Sequence, residues 1–245
     1  MSNSLHRMAL IFLAVSIAAC GQSGDSDAQS ASASSLSSAA RFSGEMSNKG
    51  CEFLSAQLVS ATFDVPADAL KQTKIQGCHY TWNSDNETLE AGILMIRAHK
   101  SDEEAARWFA GITTSKTAEE MQAEMESASG QLDNRKELDT ELKKSTARNL
   151  AALISTKAVN FEDLAGIGDE ARIKDEGTVY IRVDNLTFMV SAYKGARAPR
   201  PDMTGVEINQ MAAVAKENAD QWATQTAPQR RQDSSRLARA IVAGM

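Results

Sequence analysis

The chain has few of the residues on which most ligand-binding and catalytic sites depend. Aromatic residues make up 5% of its 245 residues, and it holds only three cysteines and three histidines. Surfaces that stack bases need aromatic rings, and phosphate binding needs an excess of Lys and Arg, whereas the formal net charge here is −6. These shortages argue against nucleic-acid binding. The apolar fraction of 42% and the charged fraction of 24% are ordinary for a globular protein.

The chain also lacks an apolar run long enough to cross a membrane. Its longest run, residues 8–19, has twelve nearly unbroken apolar or small residues, whereas a membrane helix needs about 20. A short run of this kind just after the cation of Arg7 is typical of a secretion signal. The run ends in Ile17-Ala18-Ala19-Cys20, which resembles the lipobox of bacterial lipoproteins: an aliphatic residue, two small residues and the cysteine that is acylated.

The resemblance implies that residues 1–19 are a signal peptide and that Cys20 becomes the lipidated N-terminus. Several acyl chains on one residue would anchor the protein stably to a membrane. In this family Gly21, in place of aspartate, implies delivery to the outer membrane of a Gram-negative cell, facing the periplasm; the inner membrane and the cell surface are the alternatives. The alternative to lipidation is an ordinary secreted protein in which Cys20 is incidental.

Composition divides the remaining chain into three parts. Residues 20–46 are rich in Ser, Ala, Gly and Gln and bury too little to offset their ordering entropy, which predicts a disordered tether after Cys20. Residues 47–224 are predicted to form a single α+β domain. Residues 225–245 carry four arginines against one aspartate and are predicted to be a basic tail or helix, either in contact with anionic lipid or frayed.

Apolar spacing predicts the element order α-ββ-α(α)-βββ-α. The first helix carries Cys51 and stops before Pro66, a capping box from Ser101 to Glu104 opens the next helix, and a charged stretch predicts one or two helices broken near Gly130. The strands are predicted at residues 74–82, 89–99, 169–174, 178–183 and 186–193, and the last helix at 204–224. The fold class is therefore α+β, with an antiparallel sheet of about five strands, two plus three, covered by helices.

The two cysteines left after Cys20 are predicted to form a disulfide. If Trp82 faces Leu89 in the first hairpin, Cys78 lies on the core face of the sheet, and Cys51 lies on the apolar stripe of the first helix. Export places both thiols in an oxidising compartment, and a bond between them would contribute about 3–4 kcal/mol. A pair of free thiols and a redox couple are the alternatives, although the second lacks C-x-x-C spacing.

The most distinctive segment of the domain runs from Leu164 to Ala171. It resembles the G-[LIV]-G-D-x-A segment of small, cysteine-paired bacterial envelope lipoproteins of undefined function, in which a helix with a Cys and a Cys-x-Tyr strand precede it in the same order. Its residues Gly166 to Ala171 are expected to form a structural turn, because glycine supplies the positive φ that a tight turn requires. A contact with a ligand is the alternative.

No residue is assigned a catalytic role, and no cofactor or metal is expected. The predicted hairpin places His79 and His99 on opposite faces of the sheet, so they cannot share a metal ion or a proton. Each is expected to be a strand-end or surface residue. The leading hypothesis is a non-enzymatic, membrane-anchored lipoprotein that binds a protein partner or a small ligand. The alternatives are an envelope hydrolase that uses carboxylates on the helix or loop after the first hairpin, and an inhibitor or immunity protein against a toxin that acts in the periplasm.

Overall fold

The computed structural model describes residues 41–74, 77–133 and 157–245, which are built around one antiparallel sheet. Its seven strands lie in the order β1-β2-β3-β7-β6-β5-β4. Their bounds are β1 Lys71–Thr73, β2 Gly77–Asn83, β3 Glu87–Ala98, β4 Phe161–Asp163, β5 Glu170–Lys174, β6 Val179–Val183 and β7 Leu186–Ala196. The α+β class is confirmed, but the predicted number of about five strands is wrong. The two additional strands, β1 and β4, are edge strands of three residues each, too short to leave an alternating pattern in the sequence.

The predicted register of the first hairpin is confirmed, since Trp82 lies opposite Leu89 and Cys78 opposite Ile93. β3 then pairs with β7 along almost its whole length. One irregularity interrupts this pair: a β-bulge between Leu94 and Arg97, which contains Met95 at a φ of 47°. An extra residue in one strand reverses the face to which the following side chains point. The bulge therefore changes the surroundings of every side chain at the end of β3.

The predicted first helix is two short helices. A 3-10 turn, Gly44–Asn48, is followed by α1, Gly50–Phe53, and α2, Ala56–Phe63. The break arises because Ser55 has an extended backbone and its side chain accepts a hydrogen bond from the amide of Leu58 at 3.1 Å. Serine in this position begins a new helix rather than continuing the previous one.

The Ser101 half of the predicted capping box is present and opens α3, Asp102–Ile112, whereas the Glu104 carboxylate accepts from the amide of Lys100 and not from that of Ser101. The amide of Glu104 donates to the Ser101 hydroxyl at 3.2 Å. The next helix, α4, runs from Ala118 to Asp133. α4 is unbroken at Gly130 itself, the residue near which the break is predicted. The remainder of the charged stretch, residues 134–156, lies outside the described residues and holds the predicted apolar positions Leu138, Leu142, Leu150, Leu153 and Ile154.

The last helix is much longer than predicted. α5 runs from Ile208 to Ala243, through Pro228, and does not stop near residue 224. The second half, predicted as a basic tail or helix, is helical, and it is neither frayed nor on the surface: Leu237, Ala238 and Ile241 are almost fully buried. Three of its four arginines also have partners within the domain. Arg230 lies over the Tyr193 ring, Arg231 pairs with Glu162, and Arg236 pairs with Asp233.

α5 completes the sheet where β6 is too short. β6 pairs with β7 only from Leu186 to Val190, so the backbone groups of β7 beyond that point have no strand beside them on this edge. The helix supplies the missing partners: the amide of Ala192 donates to Ser234 Oγ, and the amide of Lys194 donates to Asp233 Oδ2, both at 2.8 Å. Because unpaired buried amides are costly, these two side chains fix α5 against the sheet.

The sheet carries helices on both faces. The core face is covered by α1, α2 and the second half of α5, and the residues of the sheet and these helices form one apolar cluster. The opposite face carries α3, whose Phe109 is buried and lies under the Arg172 guanidinium of β5. None of the described helices is long and apolar enough to cross a bilayer.

The folded structure begins earlier than predicted. Residues 41–46, the last part of the predicted tether, pack against the domain and are called the N-terminal arm below. The Asn185 side chain holds the arm: Phe42 N donates to Asn185 Oδ1 at 2.9 Å, and Asn185 Nδ2 donates to Phe42 O at 2.8 Å. Phe42 and Met46 also pack against the core. Arg41, at the start of the arm, forms an ion pair with Asp184 at 3.0 Å. Composition alone misses this segment because two apolar residues suffice to dock it.

Candidate functional site

Cys51 and Cys78 lie at disulfide-bonding distance, with their Cα atoms 5.0 Å apart, as the sequence predicts. The pair joins α1 to the core face of β2. Cys78 is fully buried, while Cys51 is half-buried. Gln72 of the edge strand β1 lies 3.5 Å from the Cys78 sulfur and donates a hydrogen bond to Tyr80 Oη at 2.6 Å. The linkage therefore sits in the structural core and fastens the first helix to the sheet.

The two histidines of the domain have different surroundings, and the predicted face of His99 is wrong. His79 is half-buried and its ring lies over Gly92, where a Cβ would come within 2.5 Å of Nδ1. His99 follows the end of β3, as predicted, but it is not a surface residue, since it is only 5% exposed. The bulge at Met95 also reverses its face, so that His99 contacts Thr187 on the same side of the sheet as Gly92 and not on the opposite side.

His99 lies between a hydroxyl and a carboxylate. Its Nε2 is 2.9 Å from Thr187 Oγ1, and its Nδ1 is 3.9 Å from Glu104 Oε1. The order carboxylate, imidazole, hydroxyl is that of a hydrolase triad. However, Thr187 is only 1% exposed and lies under α3, so a substrate could not reach its oxygen. The geometry supports a structural role for these three residues and not nucleophilic catalysis.

Trp108 and Arg97 complete the surroundings of His99. The Trp108 ring lies 5.3 Å from the imidazole, centroid to centroid, and the Arg97 guanidinium lies 5.5 Å from the centroid of the Trp108 ring. Burial lowers the pKa of His99 below the ordinary 6.5, and the positive charge of Arg97 lowers it further, while Glu104 acts in the opposite direction. His99 is consequently neutral at neutral pH.

The hydrolase hypothesis depends on the carboxylates after the first hairpin. These carboxylates form hydrogen bonds at the N-terminus of α3. Glu104 Oε2 accepts a hydrogen bond from Lys100 N at 3.3 Å. A hydrogen bond with Ser101 lowers the pKa of Glu103, whereas a general acid needs a raised pKa. Within the described residues, no group of three or more His, Cys, Asp or Glu side chains is placed to hold a metal ion.

The segment from Gly166 to Ala171 forms a turn that contacts the β6–β7 turn. Gly166 and Gly168 have φ values of 75° and 60°, and between them Ile167 is buried. The carboxylate of Asp169 accepts a hydrogen bond from the amide of Asp184 at 2.6 Å, which fixes the β6–β7 turn. All of these contacts lie within the domain and agree with the expected structural turn.

The two glycines of this segment allow a matched test of that role. A Cβ on Gly168 would lie 2.5 Å from Arg182 O, whereas a Cβ on Gly166 would meet nothing within 4 Å. Both positions carry the cost of a positive φ, about 1 kcal/mol, so Gly168→Ala should lower the free energy of unfolding by about 2 kcal/mol and Gly166→Ala by about half as much. Urea denaturation of the two variants measures the difference. Equal losses would contradict the contact with Arg182.

The described residues form a groove of about 590 Å³, here called the α4–α5 groove. It lies between α4, the extended segment 157–160, the β5–β6 turn and the middle of α5. Its lining residues are Met121, Lys157, Ala158, Val159, Lys174, Asp175, Glu176, Asp220, Ala223, Thr224 and Ala227. The segment is held in place because Val159 pairs with Lys116 through two 2.8 Å backbone hydrogen bonds.

The α4–α5 groove has an apolar floor and a charged rim. Alanine, valine and methionine form the floor, and the rim ion pairs are Lys157 with Asp220 at 3.4 Å and Lys174 with Glu176. Lys216, which does not line the groove, also pairs with Asp220 at 2.8 Å. A hydrogen bond from Lys216 lowers the pKa of Asp220. The volume of the groove lies in the range of ordinary ligand sites. The groove leaves no signal in the sequence, since its residues come from four separate regions of the chain.

Comparison with known proteins adds no further assignment. No protein-family model, curated protein or solved structure matches the chain. The chemistry of the groove and the sequence of the N-terminus are therefore the basis for a function.

Proposed function

We propose that this chain is a lipid-anchored protein of the bacterial envelope whose α+β domain binds a protein partner or a small ligand in the α4–α5 groove. Acylation would take place on Cys20, at the end of the Ile17-Ala18-Ala19 segment, and the outer membrane facing the periplasm is the proposed location. The proposed role is non-enzymatic. The single observation that carries the binding role is the groove itself, with an apolar floor between paired charges.

Two features support the envelope assignment. The lipobox-like segment lies directly after a short apolar run, as a lipoprotein signal requires. The Cys51–Cys78 pair is at bonding distance, and Cys78 is fully buried in the fold. Structural disulfides of this kind persist in oxidising compartments. The second feature is independent of the first, because it depends on the fold and not on the N-terminal sequence.

The binding role predicts a position-specific cross-link. A photo-reactive phenylalanine analogue in place of Thr224, which lines the groove, should form an adduct in intact cells, and the same analogue in place of Ala212 should not. Ala212 is a matched control, because it is exposed on the same helix but away from the groove. The adduct should disappear when Ala223→Trp fills the floor. An adduct that persists in the filled variant would contradict binding in the groove.

The anchor is tested separately in the same cells. Labelled palmitate should be incorporated into the wild type and not into Cys20→Ser, and the Cys20→Ser protein should leave the membrane fraction. Each acyl chain contributes about 0.8 kcal/mol per buried methylene, so the loss of membrane association should be nearly complete. Incorporation of label into Cys20→Ser would disprove acylation at this cysteine.

A further inference from the structure

His99 is the one described residue with a buried side-chain nitrogen or oxygen that lacks a hydrogen-bond partner, and that atom is Nδ1. His99 lies between the end of β3 and the start of α3, and its backbone bonds to Asn185 of the β6–β7 turn. An orphaned polar atom in so closed a place is uncommon and calls for an explanation.

Few of the groups that face the ring could accept a hydrogen bond from a second ring N–H. From β3 there is the cation of Arg97, and from α3 there are the carboxylate of Glu104 and the ring of Trp108. From β7 there is the uncharged hydroxyl of Thr187. The one carboxylate uses its Oε2 to accept the hydrogen bond from Lys100 N that caps α3, and its Oε1 lies 3.9 Å from Nδ1, beyond hydrogen-bond distance.

The backbone of His99 is also part of the attachment of the N-terminal arm. Its amide donates to Asn185 O at 2.8 Å, and its carbonyl accepts from Asn185 Nδ2 at 2.7 Å. The same Asn185 side chain holds Phe42 N and Phe42 O. One fully buried asparagine thus connects the histidine to the arm, and a movement of one must disturb the bonds of the other.

We propose that His99 makes the attachment of the N-terminal arm sensitive to acid, because protonation of its ring opens the corner between β3, α3 and the β6–β7 turn and so releases residues 41–46. A protonated ring has two N–H donors. Nε2–H can donate to Thr187, but Nδ1–H faces only the Glu104 oxygen at 3.9 Å, beyond hydrogen-bond distance. Opening the corner lets water accept this hydrogen bond.

The direction of the effect follows from the burial of the ring. The pKa of His99 in the folded protein lies below the value of 6.5 in the unfolded chain. The closed corner therefore keeps its full stability above about pH 6.5 and loses it as the pH falls toward the folded-state pKa. If the chain is anchored as proposed, acid would lengthen the link between membrane and domain by the residues of the arm; the acid response itself does not depend on the anchor.

Hydrogen exchange of the full chain in detergent micelles tests the proposal. Between about pH 7.5 and pH 5, the protection factors of peptides covering residues 41–46 and 97–104 should fall at least about threefold, while those of β6 stay constant. His99→Gln should abolish the fall. His79→Gln is the matched control, because it removes the other histidine of the domain and should leave the fall intact. A fall of the same size in His99→Gln would overturn the proposal.

A titration of the wild type keeps the proposal testable if His99→Gln does not fold. The ring nitrogens of His99 should titrate below pH 6.5 in a heteronuclear NMR experiment, and the amide of Phe42 should shift with the same midpoint. Glu104→Gln should move the midpoint to lower pH and Arg97→Gln to higher pH. A His99 ring that titrates at or above 6.5, or a Phe42 amide that does not follow it, would overturn the proposal.

Discussion

Replacing Cys51 and Cys78 together by alanine should lower the free energy of unfolding by about 3.5 kcal/mol. The bond closes a loop of 27 residues, and this is the cost of opening such a loop in the chain-entropy model. The loss is between about a quarter and about two thirds of the stability of an ordinary domain, since proteins are stable by only about 5–15 kcal/mol. Urea denaturation monitored by tryptophan fluorescence gives the value.

Reduction of the wild type is the control for the cysteine variant. If the loss comes from the cross-link, a reductant should lower the unfolding midpoint of the wild type by about as much as the two substitutions do, and it should not affect the double variant. Because Cys78 is fully buried, alanine there also leaves a small cavity, so the variant is expected to be slightly less stable than the reduced wild type. A wild type that does not respond to reductant would argue against a stabilising bond.

The features that could be predicted from the sequence are local or periodic. The register of the first hairpin follows from strict alternation on either side of a turn, and this alternation alone places Cys78 and Leu89 on one face of the sheet. The start of α3 follows from a capping pattern four residues long. In both cases the information lies in a few neighbouring residues, and no distant contact is needed to interpret it.

The features that the sequence does not predict depend on contacts between distant parts of the chain. A bulge at Met95 leaves no mark in the residue pattern, yet it decides that His99 is buried beside Thr187. β1 becomes a strand only because β2 offers a partner, and the arm is held by contacts with distant residues such as Asn185, 143 residues away from Phe42. The α4–α5 groove has the same origin, since four separate segments form its walls.

The C-terminal half of α5 shows most clearly how context overrides composition. Its arginines give it the composition of a surface tail, but arginine stems cover apolar groups while their charges remain at the surface. Arg236 illustrates this: its guanidinium lies over the Phe63 ring at 4.9 Å and pairs with Asp233. Between the arginines, one side of the helix consists of small and apolar residues that fit the sheet. A count of charges does not distinguish the arginine side of the helix from its apolar side, whereas the spacing of these residues at the helical period does.

Leu237→Ala should therefore lower the free energy of unfolding by about 3 kcal/mol. Leu237 is fully buried against the core face, and truncation of a buried leucine typically costs about 2–5 kcal/mol. Arg239→Ala, two residues further along the same helix and exposed, is the matched control and should change stability by less than about 0.5 kcal/mol. If residues 225–245 were a frayed tail, both variants would unfold at the wild-type urea concentration. A loss confined to Leu237→Ala would show that this end of the chain belongs to the folded core, because only a packed helix distinguishes the two positions.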